Sequence, residues 1–345
     1  MTMIPVKELV IYPLSQCNLD CSHCYRSKEE NELSIDDLKW ISQTFSPKKT
    51  IIMGGEPFLY DNLKYVFDIF PNITISTNAT LIKKNIKLLK KYRKKIVIQV
   101  SLEGGKKETN EVRGDNIWDT CMRSVELLKE NNVRCYFRCS YHRDNLEQIK
   151  EEVFKEASFY KIGLMLLPRI DLPSLSASEQ TDFFKTILDH DTEVLKDIND
   201  VDMDSLMSKY ALIAVAQPHF FQFIGKKGRC GAGDERISIY FDKRVTPCNF
   251  DLDYTLGRVG DKEEKIKDNM SIFVENFKIP PIECAGCPNS DICKGSCYIS
   301  KSYLGCPLRY NLDLGNLIMH DRLDEVEVRN DMNLLIKYVR NLGIC

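Results

Sequence analysis

Short apolar runs alternate with amphipathic stretches from residue 8 to about residue 193. The runs predict strands, and the stretches, in which apolar positions recur every three or four residues, predict helices. We predict strands at 8–14, 49–53, 72–77, 95–102, 133–140 and 161–167. We predict helices near 35–46, 60–69, 80–92, 116–131 and 144–157. Strand–helix units of this length are typical of parallel strands joined by helical crossovers, so the pattern predicts an α/β fold.

The number of units and the composition along the chain suggest a domain plan. Six units are too few for a closed eight-stranded barrel, which favours a partial (β/α)6 TIM-like barrel. A doubly wound sheet is also compatible with the periodicity. We expect the barrel over residues 1–193, a helical linker over 194–229, a small C-terminal cysteine-rich domain over 230–310 and a helical tail over 311–345.

Three predicted strands have one polar face. These faces carry Asn72, Thr74, Ser76 and Asn78; Gln99, Ser101 and Glu103; and Arg134, Tyr136, Arg138 and Ser140. Strands packed in a dry core on both sides would be apolar on both faces. The pattern indicates a shared lumen that holds a polar ligand, with solvent exposure of these faces as the alternative.

Composition excludes several classes of protein. The 345-residue chain has a net charge of −2 and no large basic block, so we expect no nucleic-acid partner. No signal peptide or membrane span is apparent, so we expect a cytoplasmic protein without a membrane partner. The chain has 14 cysteines. In a reducing compartment so many thiols indicate metal ligands rather than a disulfide scaffold.

Cys17, Cys21 and Cys24 form a CxxxCxxC run, CNLDCSHC, directly after the first predicted strand. Three thiolates hold three corners of a cubane iron–sulfur cluster and leave the fourth iron open for a ligand that reacts, whereas ordinary electron-transfer clusters use four. A second motif, Gly54-Gly55-Glu56-Pro57, follows the second strand. Both motifs fall at the carboxyl ends of strands, where α/β barrels place their sites.

The CNLDCSHCY and MGGEP segments, in this order, resemble the radical S-adenosylmethionine (SAM) superfamily. The resemblance implies a [4Fe–4S] cluster on Cys17, Cys21 and Cys24, with SAM bound to its fourth iron. It implies that His23 packs near the adenine and that Gly54, Gly55 and Glu56 bind the SAM amino group.

The same resemblance implies further SAM contacts along the barrel. Ser101 and Glu103 match a segment that usually reads Ser-Leu-Asp-Gly and would bind the ribose. Arg138 would pair with the SAM carboxylate. Arg113 matches an arginine often found after that segment. Asn78 lies in STNAT, which is similar to a common Thr-Asn-Gly, but Ala79 replaces the glycine. For Asn78, Ser101 and Arg113 a structural hydrogen bond is an equal alternative.

Seven cysteines near the C-terminus resemble the SPASM extension, which carries two auxiliary iron–sulfur clusters. The resemblance implies one cluster on Cys284, Cys287, Cys293 and Cys306, and another on Cys230, Cys248 and Cys297. The second set lacks the usual eighth cysteine, so we expect an open iron or another ligand, with Asp234 as a candidate. Lys243 stands where the family has a turn glycine. Structural zinc is the alternative.

Cys121, Cys135 and Cys139 fall on apolar faces, which indicates packing.

The implied function is reductive cleavage of SAM to a 5′-deoxyadenosyl radical that takes hydrogen from a peptide or protein. Crosslinking, oxidation or epimerisation would follow, with an auxiliary cluster accepting electrons or binding substrate. Small-molecule chemistry, such as decarboxylation of a tetrapyrrole side chain, is an alternative, and a non-catalytic iron–sulfur or zinc sensor or scaffold is another. A low-potential donor such as a flavodoxin or ferredoxin is expected, and a separate leader-recognition protein would fit because no room precedes the first strand.

Overall fold

The computed structural model describes residues 3–24, 30–169, 231–249 and 253–277, together with 175, 179, 182–183, 186–187 and 213–215. The chain forms two compact units. The first contains residues 1–101, 106–135 and 231–279, and the second contains 102–105, 136–230 and 280–345. The predicted domain bounds differ from these units, since residues 231–279 belong to the first unit and 280–345 to the second.

The first unit is built on a sheet in the order β10-β9-β8-β1-β2-β3-β4. Its strands are β1 (Ile4–Ile11), β2 (Phe45–Ile52), β3 (Ile73–Thr77), β4 (Ile96–Leu102), β8 (Arg236–Ile239), β9 (Arg244–Thr246) and β10 (Gly257–Arg258). Pairing is parallel from β8 through β1, β2 and β3 to β4, and antiparallel from β8 to β10. Its helices are α1 (Ile35–Thr44), α2 (Leu63–Ile69), α3 (Ile82–Tyr92), α4 (Lys106–Arg113), α5 (Ile117–Glu130) and α8 (Glu263–Phe277), with a 3₁₀ turn at Pro57–Leu59.

The second unit contains three parallel strands, β5 (Cys135–Tyr141), β6 (Gly163–Pro168) and β7 (Ile213–Val215). Helical turns connect β5 to β6: a 3₁₀ turn at Arg143–Asn145, α6 (Leu146–Gln148), a π turn at Ile149–Val153 and α7 (Phe154–Tyr160). The two units together confirm an α/β fold with parallel strands. The predicted helical linker over 194–229 is wrong at Ile213–Val215, which forms β7; apart from these three residues, that range lies outside the described residues.

Strand register separates a polar face of the first sheet from an apolar one. Ile51 is registered with Thr74, and Ser76 with Gln99, so Thr74, Ser76 and Gln99 lie on one face. The opposite face carries Ile75 and Ile98, which are fully buried. The polar side chains are also buried, which excludes solvent exposure as the reason for their polarity. The predicted polar face of β3 and β4 is therefore confirmed, and it lies inside the protein.

Local signals explain where α1 begins. The Ser34 hydroxyl accepts from the amide of Asp37, and the Asp37 carboxylate accepts from the amide of Ser34, which forms a capping box. Burial raises the pKa of Asp37, but hydrogen bonds from Ser34 and the charge of Lys243 outweigh it and the pKa is lowered. Leu38 and Ile41 bury the inner stripe of the helix. The cap thus fixes the helix just after the cysteine segment.

Strand β8 extends the parallel sheet on the far side of β1, which the sequence pattern did not predict. Glu8 is registered with both Arg236 and Lys49. Arg236 Nε donates to the Glu8 carboxylate at 2.7 Å, and Lys49 Nζ lies 3.8 Å from it. Burial lowers the pKa of Lys49. An unpaired Glu8 carboxylate would be costly in this buried position. Its contact with Arg236 therefore holds β8 beside β1.

Two further differences from the prediction have plain causes. Strand β1 begins at Ile4 rather than residue 8, because only alternate positions, Ile4 and Val6, are buried there. Helix α4 was missed because its sequence, KKETNEVR, is almost wholly polar and buries only Thr109. Among the described residues, no helix is long and apolar enough to cross a membrane.

Candidate functional site

The three cysteines of the CxxxCxxC run lie on the loop after β1. Cys17 and Cys21 are partly buried and Cys24 is exposed, and none of the three forms a disulfide. The Cys24 amide donates to the Cys21 carbonyl at 3.0 Å, and the Ser22 amide donates to the Val112 carbonyl of α4 at 3.1 Å. The loop is thereby folded and tethered while its thiols remain accessible.

The Gly-Gly-Glu segment packs directly against the backbone that leads into Cys17. The Gly55 amide donates to the Leu14 carbonyl at 3.1 Å, and the Glu56 amide donates to the Gln16 carbonyl at 2.8 Å. A Cβ at Gly55 would lie 1.8 Å from the Gln16 carbonyl oxygen. Gly54 has φ +146°, which L side chains rarely adopt. The glycines are needed because two backbones approach each other here.

The Glu56 side chain is buried and fully engaged within the protein. Its Oε1 accepts from Thr77 Oγ1 at 2.7 Å and from the Phe58 amide at 3.2 Å, and its Oε2 accepts from the Asn78 amide at 2.9 Å. Burial raises the pKa of Glu56 to about 7, although these hydrogen bonds oppose the shift. The carboxylate therefore joins the end of β3 to the 3₁₀ turn, and the SAM contact expected of Glu56 stays a prediction.

The Cys17 thiol accepts two hydrogen bonds. Its Sγ accepts from the Leu19 amide at 3.4 Å and from Asn78 Nδ2 at 3.8 Å. Burial raises the pKa of this thiol, and the nearby Glu56 charge adds to the rise while both donors oppose it. N–H donors to sulfur are among the features that tune iron–sulfur clusters.

The turn after β3 is held in an unusual conformation. Ala79 has φ +67°, the left-handed region that favours glycine. The Thr80 amide and hydroxyl then both donate to Asn78 Oδ1, at 3.0 and 2.6 Å. A glycine, as in the similar Thr-Asn-Gly segment, would adopt this backbone conformation without strain, and this chain adopts it with alanine.

The expected ribose-binding residues lie at and just beyond the end of β4. Ser101 and Glu103 are both buried. The Cys121 thiol donates weakly to the carbonyls of Asn78 and Ser101, at 3.8 and 3.9 Å. Burial raises the pKa of Cys121 to about 12, which fits the predicted packing role.

The other two isolated cysteines are also buried. Burial raises the pKa of Cys135 to about 12. Cys139 accepts from the Gly104 amide at 3.1 Å in the second unit. Packing is therefore confirmed for both thiols.

The remaining expected SAM contacts are placed as follows. Arg113 ends α4 and is partly buried. Burial raises the pKa of both Glu56 and Cys121, and the charge of Arg113 opposes part of that rise. His23 is partly buried on the cysteine loop. Arg138 lies on β5 in the second unit. The structure thus brings the two motifs, Asn78 and Arg113 together, and the SAM contacts of all these residues stay predictions.

The cysteine loop offers three thiols to a cubane cluster. In a cubane each thiolate binds a different iron, so the sulfurs need not converge on one point. Partial burial with two N–H donors to Cys17 suits a cluster ligand, and Cys17, Cys21 and Cys24 would hold the group.

Of the seven C-terminal cysteines, only Cys248 lies within the described residues, where it is buried. It follows the β8–β9 hairpin. Lys243 occupies the turn with φ +70°, the conformation that the family's glycine would adopt. Asp234 Oδ1 accepts from the Glu235 amide at 2.7 Å, and its ligand role stays a prediction. Six members of the predicted ligand set lie outside the described residues: Cys230, Cys284, Cys287, Cys293, Cys297 and Cys306.

Sequence reasoning did not single out Asn18 and Thr80, which complete the surroundings of Cys17. Asn18 Oδ1 accepts from Asn78 Nδ2 at 3.0 Å, and Asn18 Nδ2 donates to Thr80 Oγ1 at 2.8 Å. The available signal was the presence of short polar residues beside Cys17 and Asn78. Such residues are common in turns, so the signal was not specific.

A sequence profile matches the part of the chain that contains these features. Residues 11–154 match the profile of the radical SAM superfamily. The matched range includes the cysteine loop, the Gly-Gly-Glu segment and Arg138.

Comparison with individual proteins agrees with this assignment. The chain is 29% identical over 150 residues to the subtilosin biosynthesis protein AlbA of Bacillus subtilis, covering 39% of this chain and 33% of AlbA. It is 26% identical over 176 residues to Fe-coproporphyrin III synthase of Methanosarcina barkeri, covering 45% of this chain and 44% of that protein. The chain thus matches less than half the length of these two relatives.

A solved structure extends the likeness beyond the matched domain. Streptococcus suis SuiB bound to its precursor peptide SuiA superposes with a TM-score of 0.68 at 20% identity, covering 90% of this chain and 75% of SuiB. At this identity the likeness shows the fold alone.

Proposed function

We propose that this chain is a radical SAM enzyme that reductively cleaves SAM to a 5′-deoxyadenosyl radical, which removes a hydrogen atom from a peptide or protein substrate. The observation that carries the proposal is the packing of Gly54, Gly55 and Glu56 against the backbone that enters the three-cysteine loop. A bound [4Fe–4S] cluster with an open iron supplies the electron for cleavage of the sulfonium.

The chain's own residues serve binding and orientation. Cys17, Cys21 and Cys24 would hold the cluster, and the exposed position of Cys24 leaves one side of the loop accessible. The buried polar face of β3 and β4, which includes Ser76, Gln99 and Ser101, offers hydrogen-bonding groups away from bulk water. Exclusion of water is needed because a carbon radical must meet one substrate C–H bond at close range.

The experiment is anaerobic reconstitution with iron and sulfide, reduction with dithionite and measurement of 5′-deoxyadenosine formed from SAM. The variant Cys17→Ala/Cys21→Ala/Cys24→Ala should form none, whereas Cys135→Ala, a buried thiol on β5, should retain activity. A wild-type protein that binds the cluster but forms no 5′-deoxyadenosine would contradict the proposal. Such a result would favour the non-catalytic sensor or scaffold.

Peptide modification is the favoured substrate class. AlbA is named for bacteriocin biosynthesis and SuiB was solved with its precursor peptide, and both resemble this chain. The alternative is tetrapyrrole side-chain chemistry, which the likeness to Fe-coproporphyrin III synthase supports. Mass spectrometry separates the two. A peptide product would carry a crosslink, an oxidation or, for epimerisation, no mass change, whereas an oxidatively decarboxylated tetrapyrrole would lose about 46 Da per group as CO₂ and two hydrogen atoms.

Auxiliary clusters and partners complete the proposal. We infer two auxiliary iron–sulfur clusters on the C-terminal cysteines because the order of these cysteines resembles the SPASM extension. Structural zinc is the weaker alternative, since seven thiols do not divide into four-thiolate sites without another ligand. About 12 irons per chain are expected, and roughly eight after loss of Cys17, Cys21 and Cys24. We further propose a flavodoxin or ferredoxin as electron donor, a separate leader-recognition protein and action in the cytoplasm, where cysteine-rich chains stay reduced.

A further inference from the structure

The side-chain amide of Asn78 has all its hydrogen-bonding groups engaged. Its two N–H groups face Cys17 Sγ at 3.8 Å and Asn18 Oδ1 at 3.0 Å. Its oxygen accepts from the amide and the hydroxyl of Thr80, at 3.0 and 2.6 Å. An amide offers two donors and two acceptor positions, so none remains for another ligand.

The orientation of this amide is determined by its surroundings. If oxygen and nitrogen were exchanged, an NH₂ group would face the Thr80 amide, which can only donate, and an oxygen would face the Cys17 sulfur. The backbone is anchored too, because the Asn78 amide donates to Glu56 Oε2 at 2.9 Å. Asn78 is 6% exposed, so water competes little for the contact with sulfur. The donor is therefore pre-oriented toward the thiol.

A donor in this position affects a cluster ligand in a defined way. Adding an electron to a cluster increases the negative charge on its thiolates, and an N–H group aimed at sulfur stabilises that charge. The amides of Leu19 and Asn78 both point at Cys17 Sγ. The Leu19 donor belongs to the backbone of the loop itself, whereas the Asn78 donor comes from the end of β3.

We propose that Asn78 is a positioning residue that donates a hydrogen bond to the Cys17 thiolate, orients this ligand and raises the reduction potential of the cluster. This inference rests on the proposed function. It replaces the SAM contact expected for Asn78, because the amide has no free donor or acceptor. Asn18 and Thr80 act through Asn78 by fixing its amide.

The test is an EPR-monitored redox titration of the reconstituted protein without SAM, together with the dissociation constant for SAM. Asn78→Ala removes the donor, and Asn78→Asp keeps the shape but replaces the donor with an acceptor. Asn85→Ala is the matched control, since Asn85 Nδ2 donates to the Leu81 carbonyl within the same polypeptide region but contacts no cysteine. A tenfold fall in the equilibrium constant for reduction corresponds to about 59 mV.

The cluster should be harder to reduce in both Asn78 variants, and more so in Asn78→Asp. SAM affinity should change less than twofold, and Asn85→Ala should behave like the wild type. Loss of iron from the Asn78 variants at an unchanged unfolding temperature of the apoprotein would also support the inference. An unchanged midpoint potential in the Asn78 variants overturns the inference. If SAM affinity also fell tenfold at an unchanged midpoint, Asn78 would be a SAM contact instead. A wild-type protein that forms no 5′-deoxyadenosine would instead contradict the proposed function.

Discussion

Substitution of Gly55 by alanine tests how the Gly-Gly-Glu segment supports the cysteine loop. The new Cβ would lie 1.8 Å from the Gln16 carbonyl oxygen and 2.4 Å from the Ser15 carbonyl oxygen. An ordinary contact requires at least 3.4 Å, so the Gln16 carbonyl would have to move by about 1.6 Å. Since the obstacle is backbone rather than a flexible side chain, we expect a loss of about 3 kcal/mol, the upper end of overpacking costs. The displaced segment ends one residue before Cys17.

The assay is chemical unfolding of the apoprotein, with iron content after reconstitution as a second measurement. Gly260→Ala is the matched control, because Gly260 has φ +97° but nothing within 4 Å of the added Cβ. The control should lose only the strain of a left-handed alanine, about 1–2 kcal/mol, and keep its iron. If Gly55→Ala were as stable as the control and bound wild-type iron, the segment would not support the loop by close packing.

Three further predictions concern stability, each measured by unfolding of the apoprotein. Ala79→Gly should stabilise it by about 0.5–1 kcal/mol by relieving the positive φ, whereas Ala157→Gly in α7 should destabilise it by about 1 kcal/mol; equal effects would refute this. Because burial raises the pKa of Glu56 to about 7, folding favours its protonated form. The free energy of unfolding should therefore fall by about 3 kcal/mol as the pH rises from about 4.5 to 7, and Glu56→Gln should abolish this dependence. Parallel pH profiles would contradict it. Arg236→Met should cost about 3 kcal/mol, the lower end for breaking a buried pair, because Glu8 is buried but still has Lys49 at 3.8 Å. Adding Glu8→Gln should recover part of the loss, and an additive double variant would rule out the pairing with Arg236.

The sequence predicted those features that depend on local patterns. Alternation within single strands predicted the polar face that includes Ser76 and Gln99, since side chains along a strand point to opposite faces by geometry alone. The spacing of the cysteines and the Gly-Gly-Glu segment predicted the site's motifs. Ala79 and Lys243 stand where the resembled family has glycine, which indicates turns, and the structure has positive φ at both.

Features that depend on distant parts of the chain were not predictable in this way. The pairing of β8 with β1 joins residues more than 200 positions apart. The sequence patterns around Glu8 and around Arg236 do not indicate that the two side chains are in contact. The SAM contact expected for Asn78 rests on resemblance, which indicates only that a residue lies near a site. Only the positions of Asn18 and Thr80 show where its donors and acceptors point.

In the proposed function, the loop with Cys17, Cys21 and Cys24 holds a cluster whose open iron binds SAM. The most direct measurement is EPR of the reduced protein with and without SAM, in a variant that lacks the C-terminal cysteines so that one cluster is observed. We expect about four irons per chain and a changed spectrum when SAM is added. Zinc in place of iron at this loop, or a spectrum that SAM leaves unchanged, would contradict it.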